Sequence, residues 1–186
     1  MDIFHDLPFG EKNLKTVNVV IENFKGSSNK VEYKVEKGVF QLDRTLHSSV
    51  YWPCEYGLIP RTWNTDNDPV DILVLSSQPT FSGCVVVAKP IGMLKMEDEK
   101  GIDNKIVSVS VHDPIYGNAK NMKELPKNLL KEIKEFLSTY KHLEMRKWVK
   151  FKGWGDSIAA KKEIKRAIQL YKKRFGVDVQ DSNSRR

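Results

Sequence analysis

The sequence predicts an α+β fold, mainly β, in which a sheet or small barrel is flanked by two amphipathic helices. Three observations carry this reading. The 186 residues suffice for one domain with a substantial core and are few for two. Strand-like runs fill the first long section, whereas helical periodicity appears only late. Strands followed by helices, rather than interleaved with them, are the α+β pattern.

In chain order, VNVVIENF (17–24) and VEYKV (31–35) are rich in β-forming residues, and GVFQLDR (38–44) follows a Lys-Gly turn signal. DILVL (71–75) has the unbroken apolar character of a strand buried on both faces. CVVVAKPIGML (84–94) is a further apolar run, where Pro90 predicts an edge or a bend. KIVSVSVHD (105–113) alternates strictly, as a half-buried strand does. Within 125–144, Leu129, Ile133, Phe136, Leu137 and Tyr140 form a helical stripe, and Pro126 suits a first turn. A second stripe, Ile164, Ala167, Ile168, Tyr171 and Phe175, follows Asp156 as N-cap and ends at Gly176. Residues 1–176 are expected to form one domain and 177–186 a flexible polar tail.

Composition narrows function without choosing it. Thirty-one Lys and Arg against twenty-four Asp and Glu give a net charge of +7, which favours anionic partners: nucleic acid, a membrane surface or phosphate-bearing small molecules. Both helices are lysine-rich. Such a helix can lie on a membrane or nucleic acid; more commonly it packs one face on its own domain and solvates the other. No run approaches roughly 18 consecutive apolar residues. The opening MDIFHDLPFGEK lacks a basic segment followed by an apolar one, so neither a membrane span nor a secretory signal is expected. Cys54 and Cys84 make no CxxC pair and are expected as reduced cysteines of a cytoplasmic protein. None of the four histidines pairs with a cysteine at zinc spacing.

Against this basic background, TDNDPVDILVL (65–75) gathers Asp66, Asp68 and Asp71 just before a buried strand. In extended chain, residues i and i+2 share a face, and Pro69 disfavours helix before it, so Asp66 and Asp68 are expected to point together. Three converging carboxylates would suit a hard cation such as magnesium. A calcium loop starting at Asp66 fails by position, because it needs Gly sixth and Glu twelfth and finds Asp71 and Ser77. An Asx-rich turn capping the strand is the competing explanation. The run KMEDEKGIDNK (95–105) adds Glu97, Asp98, Glu99 and Asp103; it reads as a solvated charged turn or as the far wall of a metal site. Basic and phenolic residues elsewhere, including Lys147, would with metals suit a dense polyanion.

DNDPVD strongly resembles the D-x-D-P-x-D signature of soluble family I inorganic pyrophosphatases. The resemblance continues in family order through NKVEY, DR, YWPCEYG, KPIGMLKMEDEKGIDNK, YKHLE and KWVKFKGW, over roughly 15–175. It implies a five-stranded OB-type barrel with flanking helices, and magnesium-dependent splitting of pyrophosphate into two orthophosphates. It further implies that Asp66, Asp71 and Asp103 hold the tighter metal, Asp71 bridging to a second. Asp68 is then the general base, and Asp98, Glu22 and Glu32 serve metals arriving with substrate. Lys30, Arg44, Tyr56, Lys105, Tyr140 and Lys141 match phosphate-contacting positions. Manganese, zinc or cobalt are possible substitutes for magnesium. No nucleic acid or membrane is required, and a homo-oligomer, as a hexamer, is implied. Three positions depart from the common family pattern: Val31 for an aromatic, Glu55 for Asn, and Lys89 for Arg, the last losing a bidentate fork. An OB-type nucleic-acid binder and a nucleotide phosphohydrolase are the rival readings.

Overall fold

The computed structural model describes residues 2–176, so the tail expected over 177–186 lies outside the described residues. Strands β1 (Val17–Asn23), β2 (Asn29–Lys34), β3 (Val39–Thr45), β4 (Glu55–Ile59), β5 (Val70–Leu75), β6 (Val85–Asp98), β7 (Gly101–Ile102) and β8 (Lys105–Ser110) precede helix α1 (Lys127–Thr139). Strand β9 (Val149–Asp156) and helix α2 (Ser157–Phe175) follow. Five strands close on themselves in the order β1-β4-β5-β8-β6, with β6 returning to pair β1. Only the β5–β8 step is parallel. Closure leaves these strands without an open edge. Strand β9 extends the sheet beyond β6, and β2–β3 forms a separate hairpin.

Strand β5 shows why its sequence is apolar without a break. Leu73 and Leu75 join the core beneath α1, whereas Ile72 and Val74 join the core beneath α2. Strand β8 corrects the half-buried expectation: Lys105, Ile106, Val107, Ser108 and Val109 are all buried. Ser108 is tolerated because its hydroxyl donates to the Leu73 carbonyl at 2.7 Å. Pro90 marks a bend rather than an edge. Strand β6 is central, pairing with β1, β8, β9 and β7, and its register on β8 slips between Pro90 and Gly92.

Both helices form where periodicity placed them. In α1, Ile133, Phe136 and Leu137 are buried, with Pro126 as N-cap and Tyr140 as C-cap. In α2, Ala160, Ile164, Ala167, Ile168 and Tyr171 are buried. Asp156 Oδ1 accepts from Ala159 N at 2.8 Å. Gly176 ends the helix with φ of 65°, a left-handed conformation that glycine adopts without a Cβ penalty.

Candidate active site

A cavity of about 360 Å³ opens between the β2–β3 hairpin, the ends of the ring strands and the loop after α1. Seven of the carboxylates named from the sequence line it, Glu22, Glu32, Asp66, Asp68, Asp71, Asp98 and Asp103, as does Glu99, whereas Glu97 stands outside it and pairs with Lys152 at 2.6 Å. Lys30, Arg44, Tyr56, Lys105, Tyr140 and Lys141 line it too. Segments 66–71 and 97–103 therefore meet at one mouth.

The Asp66–Asp68 segment corrects the extended-chain expectation. Residues 65–68 turn, Asn67 takes φ of 64°, and Asp68 N donates to Asp66 Oδ1 at 3.2 Å. The Asx turn and the cavity-lining role thus coexist, because turning is how both carboxylates reach the opening. Asp71 lies one residue into β5, opposite Leu58. The second acidic run is only partly a solvated turn. Asp98 ends β6 with 5% exposure, accepting from Lys100 N at 2.8 Å. Asp103 N donates to Met96 O at 3.0 Å, which folds the short β7 back onto β6.

Cations interlock with these acids. Buried Lys105 bonds to both Asp71 and Asp103. Burial works against its charge, but the two carboxylates outweigh it and hold its pKa well above the ordinary lysine range. Lys141 Nζ lies 2.7 Å from Asp98 Oδ2. Lys30 and Lys34 both bond Glu32. Burial opposes ionisation of Glu32, yet the two lysines pull its pKa down to about 2. At three other acids burial prevails. Burial pushes Glu22 up to about 8, against the Tyr33 N–H bond and helped by Asp71. Burial likewise raises Asp66 to about 6, opposed by the Asp68 N–H and reinforced by Asp68, Asp71 and Asp103. Asp68 is raised by burial and by Asp71.

The donors are all hard carboxylate oxygens, which fits magnesium, and the raised acids are those a cation would relieve. Among the described residues no three His, Cys, Asp or Glu side chains stand close enough to hold one ion as arranged, because lysines sit between the acids. Tyr56 and Tyr140, both buried, have pKa values raised first by burial, so each keeps a hydroxyl proton to donate.

Sequence reasoning left Asp43, Lys34 and Glu144 out of the site. Asp43 and Lys34 line the cavity. Glu144, 8% exposed, accepts from Arg44 Nε at 2.8 Å and lies 2.7 Å from Lys147 Nζ. Asp43 and Lys34 each neighbour or alternate with a named residue on a strand, which was the available signal. Two of the departures fall outside the cavity. Lys89 Nζ donates to Gly117 O at 2.9 Å, and Glu55, fully buried, accepts from Thr80 N and Oγ1 at 2.9 and 2.8 Å. Lys89 and Glu55 thus secure loops, whereas Val31 lines the cavity.

A family model described as inorganic pyrophosphatase matches residues 19–172. The chain is 44% identical over 173 residues to an inorganic pyrophosphatase of Picrophilus torridus, covering 93% of this chain and 97% of that one. The crystal structure of inorganic pyrophosphatase from Thermus thermophilus matches with a TM-score of 0.88 and 41% identity, over 92% of this chain and 99% of that one. The inorganic pyrophosphatase structure from Helicobacter pylori matches at 0.85 and 39%, over 90% and 99%.

Proposed function

The chain belongs to the inorganic pyrophosphatase family, whose members hydrolyse pyrophosphate to orthophosphate, and we propose that it performs this reaction in the cavity described above with magnesium and with Asp68 as general base. The observation that carries this is the convergence of thirteen sequence-derived side chains on one cavity. Its ring and helices are those of the OB-type fold of its structural neighbours.

Hydrolysis adds water to one phosphorus, breaks its bond to the bridging oxygen and releases two phosphates. Asp68 is assigned the water's proton. Its raised pKa brings it nearer to neutral pH, where a general base combines availability with driving force. Lys30, Arg44, Lys105 and Lys141 bind the phosphate oxygens and offset the charge gathering on the leaving group. Tyr56 and Tyr140 donate hydroxyl protons to the same oxygens. Asp66, Asp71 and Asp103 would hold one metal ion, and Asp98, Glu22 and Glu32 those arriving with substrate. Bound there, a divalent cation supplies Lewis acidity and neutralises phosphate charge; manganese, zinc or cobalt may be compared with magnesium in the same assay.

Residues 1–176 act as one catalytic domain on this reading. Cys54 and Cys84 are free thiols and no helix among the described residues is long and apolar enough to cross a membrane, which supports a cytoplasmic protein. A homo-oligomer, as a hexamer, is part of this reading, and its interfaces would have to cover exposed apolar side chains such as Tyr51, Phe81, Ile115 and Met145. Sedimentation of the purified chain tests that assembly. A substrate panel tests the reaction: pyrophosphate is expected to be hydrolysed in preference to nucleoside triphosphates and phosphomonoesters when magnesium is present. Preference for a nucleotide would overturn the assignment.

A further inference from the structure

Asn23 is buried, 1% exposed, and has no part in the assignments above. Its carboxamide makes two bonds to a single backbone residue. Oδ1 accepts from Val31 N at 2.6 Å, and Nδ2 donates to Val31 O at 3.0 Å. A backbone N–H can only donate and a carbonyl only accept, so the pair fixes which end of the carboxamide is which. The side chain thereby reproduces the double N–H···O exchange of a hydrogen-bonded pair in an antiparallel ladder.

That substitute matters because β2 and β3 form a sheet of their own, outside the ring. The adjacent Glu22 carboxylate accepts from Tyr33 N at 2.7 Å. Consecutive side chains of β1 thus hold alternate residues of β2. In a regular strand consecutive side chains point to opposite faces. Here the register of β1 on β4 slips between Ile21 and Asn23, and this bulge lets both side chains reach β2. Val31 is flanked by Lys30 and Glu32, both lining the cavity. The hairpin's own register also slips between Lys30 and Val31. The aim of those two side chains therefore depends on where the Val31 backbone is held.

We propose that Asn23 is a positioning residue for pyrophosphate hydrolysis: by clasping the Val31 backbone it aims Lys30 and Glu32 into the cavity without touching substrate. This rests on the function proposed above. Asn23→Leu keeps the size and removes both bonds. It is expected to raise KM for pyrophosphate about tenfold with a smaller change in kcat, the pattern of lost substrate binding. Asn23→Asp keeps the acceptor and loses the donor, and is expected to raise KM by less. In a Lys30→Met background, Asn23→Leu is expected to raise KM by a smaller factor than in the wild type, since one of the two groups it aims is gone. Exchange of the Val31 amide is expected to quicken in Asn23→Leu, which removes its acceptor, and to change less in Asn23→Asp, which keeps it.

Folded Asn23→Leu protein with unchanged KM, equal KM rises in both backgrounds, or unchanged Val31 exchange in Asn23→Leu would each overturn the inference while the function stands. Wild-type protein that releases no phosphate in the same assay overturns the function and this inference with it.

Discussion

Asp68 bears the sharpest residue-level expectation. It lines the cavity and makes its backbone bond through N–H, so Asp68→Asn keeps that bond while removing the proton acceptor. Turnover is expected to fall by about 10²–10⁴-fold with the circular dichroism spectrum unchanged. Near-normal turnover in the purified variant would remove Asp68 from its role. Glu22 gives a pH-dependent consequence. Its pKa rises on folding from 4.5 to about 8, through burial above all. Between those values the unfolded chain has lost the proton that the folded protein retains, so stability falls as pH rises through the window. The steepest contribution is about 1.4 kcal/mol per pH unit. Urea unfolding in the presence of a chelator, at pH 5 and pH 8, is expected to show a loss that Glu22→Gln reduces. An equal loss in Glu22→Gln would contradict the assignment. Only the acidic runs at 66–71 and 97–103 stood out by their own chemistry; the cations, the phenols, Glu22 and Glu32 were singled out through the ordered family resemblance, since each alone reads as a surface charge or a core aromatic. Glu144 was not legible, because its partner Arg44 lies 100 residues away in sequence.

The elements divide by how local their causes are. Helix α2 was readable to its caps because Asp156, the apolar stripe and Gly176 act within a few residues of one another. Asp156→Ala is expected to cost about 1 kcal/mol, read as a lower urea midpoint, with KM unchanged, since Asp156 does not line the cavity. Strands β4 and β9 were hidden. Pro53, Cys54 and charged Glu55 obscure the start of β4, yet Thr80 satisfies the buried Glu55 carboxylate. In β9, Val149 to Lys152 alternates as a strand does, but the run is short and Gly153, at φ of 132°, interrupts it. A close approach explains Gly57 in β4: a Cβ there would sit 2.0 Å from Val20 O and 2.9 Å from Ile21 Cα. Gly57→Ala is expected to cost about 3 kcal/mol or more, measured as a reduced folded yield and urea midpoint. Ordinary stability in that variant would refute the tight β1–β4 packing.

At the scale of the molecule, ring closure had no local signal. The β6–β1 pairing joins Val85–Ala88 to Val17–Val20, and the β5–β8 pairing is parallel across a long connection. Both depend on non-local burial, which periodicity does not encode. The same closure gathers acidic turns and cationic strands around one opening, where acids outnumber bases although the chain as a whole is basic. Lys105 and Lys141 pair with carboxylates in a pocket whose surplus of acids suits a polyanion that arrives with cations. The most direct test is orthophosphate release from pyrophosphate by the purified protein, followed with magnesium, after chelation, and after magnesium is restored. Release that stops on chelation and returns with the metal is the expected result. A folded protein releasing no phosphate with any divalent cation would contradict the central claim.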